Sequence, residues 1–555
     1  MSGKKVVLTT MMSSLDSLLT RGSSVIGYGW IFHETTQIKS ISLMVELENG
    51  QMFSMPVSYN KQRNDVSEAF PQYPWARFSG FLFYVGWDGP KLSKIYLEGS
   101  LADGQTFIQL LSIPVNTIAE GLYKGEKVAG ADAGVSRLVG RIKYAVTQLN
   151  QGALWNFVKR IASGMPALSN EDKSVLSSVR SELARVFCAQ CTLIIDHDLG
   201  GGANHYREKL IVQRLIEAPA VIVLTFEVQT LRYALEIRTD GVNSRHMLDD
   251  MAVIIYLSKL GLVNEVFYND GVSFPRPDEI PELLVSLKQI KALSLTFAIH
   301  DYFSVCPSQF LLNAEGRYCG IPDIAECQRC LPINGEGFAT LFTSRNILLW
   351  RKKWGLALMA ADHIVCFSKS SKTLLKRAYP LLEDGRVSII PHETEKRMHW
   401  QPRINLLKGL HLGVVGSIGI HKGAAIVQGL ADEIARRQLP IRITVFGSID
   451  LPCEPSVVDV TGPYRLEELP LIIEKSGANV FIVPSICPET FSYVTQELMA
   501  MNAPVVCFDF GAPAERVGAY DRGLVLPLTP GRQLLDDVLG FHCNLVKSRL
   551  ENSKL

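Results

Sequence analysis

Residues 481–517 read FIVPSICPETFSYVTQELMAMNAPVVCFDFGAPAERV, two short apolar runs on either side of a proline-bearing loop and a helical stretch. Phe481 to Ser485 has the length of one buried parallel strand, TQELMAMNA has helical character, and PVVCFD resumes as a strand. Such a unit belongs to an open α/β sheet, in which ligands bind outside the carboxyl ends of the strands and helix N-termini offer unpaired N–H groups to anions. The pattern puts Glu489 in that loop and Glu497 about a turn inside the following helix. A carboxylate there can accept hydrogen bonds from a vicinal diol such as a ribose. The plain alternative, two glutamates on a solvated helix face, does not account for the strand, proline, aromatic and second strand around them.

Upstream, LHLGVVGSIGIHKGAAIVQGLADEI reads as strand, glycine loop and helix, with Lys422 in Gly-x-x-Gly-x-x-Lys-Gly at the helix start, a place suited to phosphate. Together these two segments resemble glycosyltransferase family 4. The resemblance implies an α/β chain of GT-B fold, with two Rossmann-like domains, that moves a sugar from a nucleoside-diphosphate sugar to a bacterial polysaccharide or O-antigen acceptor with retention. It implies that Lys422 and the helix beginning near Ser492 hold the donor diphosphate, that Glu497 binds its ribose, and that Glu489 reaches the sugar. Two positions depart from the family pattern: Ser417 stands where an arginine is usual, and Ser492 where a glycine commonly follows the aromatic residue.

The other half of the cleft begins at Phe187. CTLIID is an apolar strand, HDLGGGA a glycine turn and NHYREKLIVQRLI a helix. Gly200, Gly201 and Gly202 permit positive φ and close approach to a ligand; a tight turn explains them equally well, and the resemblance places Gly201 and Gly202 opposite the donor. LSLTFAIHDY ends a buried strand in His300 and Asp301. The resemblance gives His300 contact with the transferred sugar, so His300 and Glu489 are the catalytic candidates. Asp301 either orients that imidazole or caps the next turn, and His197 is a second cleft candidate.

Cys306, Cys319, Cys327 and Cys330 fall within 25 residues and end in Cys-x-x-Cys. That ending suits a tetrathiolate zinc site, while free buried thiols and disulfides stay open as alternatives. No organic cofactor or catalytic metal is expected.

With 555 residues, 47% of them hydrophobic, the chain has room for three or four domains with real cores. The expected divisions are a β-sandwich over 21–118, read from alternating runs with turns at ENG and ADG, a helical connector over 119–186, and Rossmann-like domains over 187–400 (acceptor side) and 401–555 (donor side). The last helix is expected to return to the first Rossmann-like domain. The sandwich is read as folding separately, with at most a glycan-binding or docking role; a scaffold that packs on the enzyme and touches no ligand is the equal alternative. A net charge of +1 argues against nucleic acid as a partner. The absence of a signal-peptide pattern in Met1 to Thr20 and the scattered odd count of 11 cysteines point to a reducing, cytoplasmic setting. Trp350, Arg351, Lys352, Lys353 and Trp354 mix basic and aromatic residues as interfacial helices do, which is compatible with peripheral membrane contact and a lipid-linked glycan acceptor, while a solvated helix face is the plainer reading. A non-catalytic glycan-binding scaffold and a GT-B sugar-nucleotide epimerase or phosphorylase are the competing readings.

Overall fold

The computed structural model describes residues 11–21, 24–87, 90–111, 168–241, 243–290, 293–334, 346–393, 401–529 and 531–552. Two four-stranded antiparallel sheets come first. One has the order Met11–Arg21, Ser24–His33, Gly80–Gly86, Ser58–Lys61; the other Met52–Pro56, Ile38–Leu47, Leu92–Leu101, Thr106–Leu111. The alternation that announces them in sequence becomes a buried face, as Ile41, Leu43, Val45 and Leu47 of one strand show. Gly50 and Gly104, at φ 78° and 87°, make the expected turns.

These sheets do not stand apart from the rest. One continuous apolar core runs from Val25, Phe81 and Leu97 into Leu193, Leu235 and Phe274. Across that boundary Tyr84 stacks on Phe226 with centroids 6.3 Å apart and donates its hydroxyl hydrogen to the Ser273 carbonyl at 3.1 Å. Arg21 pairs with Asp249 at 3.0 Å. The expectation of a separately folding module is corrected by this shared core, whose apolar faces would otherwise meet water. Most of the expected connector, 119–167, lies outside the described residues; its described end is the helix Asn170–Arg185, which Ser169 opens by accepting the Asp172 amide hydrogen.

The next sheet has eight strands, in the order Ser244–Leu248, Arg232–Arg238, Val221–Glu227, Cys191–Ile195, Val263–Tyr268, Ser294–Ile299, His363–Cys366, Val387–Ile389. The first two pair antiparallel at the edge and the remainder are parallel. The chain leaves Cys191–Ile195 toward one edge and returns to its other side as Val263–Tyr268, so the loops after these two strands diverge and open a crevice.

A third unit carries six parallel strands: Val458–Val460, Arg442–Ile449, His411–Ile418, Val480–Val483, Val505–Phe508, Gly523–Leu526. Its reversal lies between His411–Ile418 and Val480–Val483, beside the loops that carry Lys422 and Glu489. Two parallel α/β units meeting across a cleft, with an antiparallel β region ahead of them, make the GT-B arrangement.

Two expectations change. The last helix, Gly531–Asn552, buries Leu534, Leu535 and Val538 in the core of the third unit and ties Arg437 to Asp536 at 2.6 Å, so it packs there instead of returning to the first half. The helix Ile347–Ala360 is no interfacial helix of exposed tryptophans: Trp350 and Trp354 are fully buried, Trp350 Nε1 donates to the Phe303 carbonyl, and Lys353 is paired with Asp278 and Glu282. Among the described residues no helix is long and apolar enough to cross a membrane.

Candidate functional site

The loops at both reversal points face one cleft of about 620 Å³, a size suited to a small-molecule ligand. Gly201, Gly202, His300, Lys422, Glu489 and Ser492 all line it. Glu497 and the four cysteines of the Cys-x-x-Cys segment do not.

On the side of the third unit, Gly423 precedes the helix Ala424–Arg436 at φ 85°, and a Cβ there would lie 1.9 Å from the Pro484 carbonyl oxygen. Only glycine permits the Lys422 loop to lie against the strand end that carries Glu489. Lys422 Nζ sits 3.3 Å from Glu489 Oε2. Burial pulls the lysine down, but Glu489 more than offsets it and holds the ammonium above its ordinary value. Glu489 is pushed up by burial and pulled further down by Lys422 and by the Ser485 and Ser492 hydroxyls, so it stays ionised. Ser485 donates to Glu489 Oε1. Ser492 opens the helix Tyr493–Ala500 at φ 74°, a positive value that glycine adopts more readily than serine. Ser417, in place of the usual arginine, meets Ser448, hydroxyl to hydroxyl at 3.0 Å. Glu497 lies one turn along that helix; burial pushes it up to about 7, and its charge is felt by Tyr464 and Tyr493.

On the opposite side Gly200 and Gly201 have φ of 77° and 91°, and the helix Gly202–Glu217 starts at the cleft. A Cβ on Gly202 would stand 3.2 Å from the Tyr493 ring, so the glycine lets the two halves approach. His300 Nε2 is 2.8 Å from Asn269 Oδ1. Because Asn269 Nδ2 donates to the Ala203 carbonyl at 3.0 Å, its oxygen faces the ring, and the imidazole donates through Nε2. Burial, then His392 and His197, hold His300 well below the usual range, so the ring is neutral with Nδ1 as an acceptor. Orientation of His300 therefore falls to Asn269. Asp301 takes the other role anticipated for it, its Oδ1 accepting from Phe303 N at 2.9 Å. His197 is buried, accepts from Leu199 N at 3.0 Å and lies 3.7 Å from Asp270.

Several participants escaped sequence reasoning. His392 Nδ1 and the Tyr493 hydroxyl are 2.7 Å apart across the cleft, and burial takes His392 down to about 3. Arg516 lies 3.7 Å over the Phe491 ring, donates to the Ser492 carbonyl at 3.3 Å, and is lowered to about 10 by burial against the opposing pull of Glu515 and Glu489. Phe310 stacks on His421 at 3.9 Å. Each is a lone residue far in sequence from its partner, and no local motif marks it.

None of the four thiols of the Cys-x-x-Cys segment is joined in a disulfide. Among the described residues no three His, Cys, Asp or Glu side chains are grouped to hold a metal ion. Arg351 donates to Cys327 Sγ and Asn334 to Cys330 Sγ, each at 3.6 Å, and a guanidinium on a thiol competes with a cation. The loop is closed by other means: Asn334 Nδ2 and Ser308 Oγ both donate to the Leu312 carbonyl at 2.8 Å, and Asn313 Oδ1 accepts from Glu315 and Arg317 amides. Burial pushes all four thiols up.

Residues 409–540 match the family model for group 1 glycosyl transferases. That span contains the six-stranded unit with Lys422, Glu489 and Glu497. No curated protein matches the chain. Among solved structures, sucrose-phosphate synthase from Thermosynechococcus elongatus is similar at 15% identity, with 63% of this chain and 88% of that one covered and a TM-score of 0.43. HepE of Anabaena, in complex with UDP-glucose, is similar at 14% identity over 66% of this chain and 90% of that one, TM-score 0.40. The pneumococcal O-GlcNAc transferase GtfA, in complex with UDP and GlcNAc, is similar at 12% identity over 59% and 60%, TM-score 0.34.

Proposed function

We propose that the protein is a glycosyltransferase that takes a sugar from a nucleoside-diphosphate donor and passes it to a hydroxyl of a glycan. The Lys422–Glu489 pair carries this reading: a cation and an ionised carboxylate 3.3 Å apart, at the mouth of a reversal point and inside the segment that matches group 1 glycosyl transferases. Lys422 and the N-terminal N–H groups of the helix Tyr493–Ala500 neutralise the diphosphate as charge develops on the leaving group. Glu489 gives up part of its hold on Lys422 to the phosphate and turns to the sugar. Glu497 accepts from the ribose diol, and His300, fixed by Asn269, meets the sugar from the other unit.

Retention of configuration and a bacterial polysaccharide or O-antigen acceptor, including a lipid-linked one, are proposed from the resemblance to glycosyltransferase family 4. The anomeric configuration of a product, followed by proton NMR from the first turnover, tests retention. Incubation with UDP-, GDP- and ADP-sugars tests the activity. Nucleoside diphosphate should be released from at least one of them, and release from none would defeat the reading.

A further inference from the structure

The cleft extends beyond Lys422 and Glu489, and one of its walls comes from the antiparallel β region. Ser58, Tyr59, Asn60 and Lys61 line it together with Asp270 and Asp301. Pairing fixes where this wall stands. The strand Ser58–Lys61 hydrogen-bonds to Gly80–Gly86, whose Tyr84 donates to the Ser273 carbonyl and whose Gly86 lies against Pro275. It is thus held beside the loop that follows Val263–Tyr268 and carries Asp270.

We propose that the strand Ser58–Lys61 and the Asp270–Asp301 pair form the acceptor subsite, which takes an uncharged, polyhydroxylated sugar. The inference rests on the proposed transferase activity and names the acceptor end of that same cleft. The two ends differ in charge. The donor end offers Lys422 and a helix N-terminus to an anion, while the other end sets two carboxylates beside Lys61, with His197 3.7 Å from Asp270. Burial, then repulsion from Asp301, push Asp270 well up, and burial pushes Asp301 up to about 7. Hydroxyls suit such a pair because they both donate and accept. A ligand carboxylate or phosphate would add further negative charge beside it. Tyr59 anchors the wall by donating to the Ile31 carbonyl at 2.9 Å, which leaves Asn60, exposed and at φ 62°, as its tip.

Saturation-transfer NMR on the full chain, with methyl β-glucopyranoside, methyl β-galactopyranoside and methyl β-glucuronide as probes, tests the subsite, and UDP and GDP titrations run in parallel test the donor site. Asn60→Gly removes the carboxamide while suiting the left-handed backbone. Asp301→Asn keeps the Oδ1 that accepts from Phe303 N. At least one neutral glycoside should bind, and the glucuronide should bind about tenfold more weakly; Asp301→Asn should weaken the neutral glycoside by about tenfold, the loss of a hydrogen bond to a charged group, and Asn60→Gly by about fivefold, the loss of a neutral one. Glycoside binding equal in wild type and both variants overturns the subsite. So does a glucuronide that binds as well as the neutral sugars, or no glycoside binding where a nucleotide still titrates. Loss of nucleotide binding alone, with sugar binding as expected, counts against the donor reading and leaves the sugar subsite supported.

Discussion

Thr490 donates its hydroxyl hydrogen to the carbonyl oxygen of His300 at 2.7 Å, joining the loop that carries Glu489 to the strand end that carries the histidine. The bond spans both α/β units and sits next to both catalytic candidates. Thr490→Val keeps the shape and removes the donor, leaving the His300 carbonyl without this partner. It should lower stability by about 0.5–1.5 kcal/mol and slow nucleoside diphosphate release more than it weakens nucleotide binding. Thermal melts with steady-state kinetics check this, and unchanged kinetics would mean the tie does not set the site.

Lys422→Ala should weaken nucleoside diphosphate binding by roughly 1.5–3 kcal/mol, about 10- to 150-fold, the scale of a lost charge-assisted hydrogen bond. Glu489→Gln acts differently. It frees Lys422 from its 3.3 Å partner, so nucleotide affinity should hold or rise while turnover falls. Calorimetric titration of both variants separates the two effects.

Glu497 gives the pH dependence. Its folded value of about 7 lies above the ordinary value of 4.5, so between those values the folded state holds a proton that the unfolded state has lost. Its contribution is favourable below about 4.5 and is lost as pH rises through about 7. Glu497→Gln removes this slope, so the variant should gain stability relative to wild type on going from pH 4.5 to 8. Ribose binding needs the carboxylate, so wild-type nucleotide affinity should rise over the same interval. Denaturant melts and titrations at several pH values check both; parallel stability curves for variant and wild type would contradict the assignment.

The antiparallel β region is expected to be inseparable from the units that follow. Tyr84 is buried against Phe226, and Tyr84→Ala should cost roughly 3–5 kcal/mol, the range for large aromatic truncations. A chain starting at Phe187 should aggregate or melt well below the full-length protein. A soluble fragment of native thermal stability would contradict the shared core.

Much of the fold and the site is legible in sequence because it is local. The apolar runs CTLIID and FIVPS, their glycine or proline loops and the helices after them are contiguous, so the residue pattern alone places Lys422, Glu489 and His300 on strand ends. What the pattern misses depends on distant pairing. His392 and Tyr493 are 101 residues apart, and Asn269 and His300 are 31 apart. The strand Ser58–Lys61 looks like any edge strand until its pairing with Gly80–Gly86 brings it to the cleft. The tryptophans of Ile347–Ala360 mislead because an aromatic and basic helix has the same composition whether it lies on a surface or is buried with its lysine paired. For the four cysteines, spacing says nothing of Arg351 and Asn334, which donate to two of the sulfurs.

The most direct measurement is a calorimetric titration of the full-length protein and Lys422→Ala with UDP, GDP and ADP, each paired with a nucleoside-diphosphate release assay on the matching sugar nucleotides. The account predicts that wild type binds at least one diphosphate and releases it from the corresponding sugar nucleotide, and that Lys422→Ala loses most of both while keeping native circular dichroism. Wild-type protein that binds none of the three, or a Lys422→Ala variant that binds and turns over as wild type does, would contradict it.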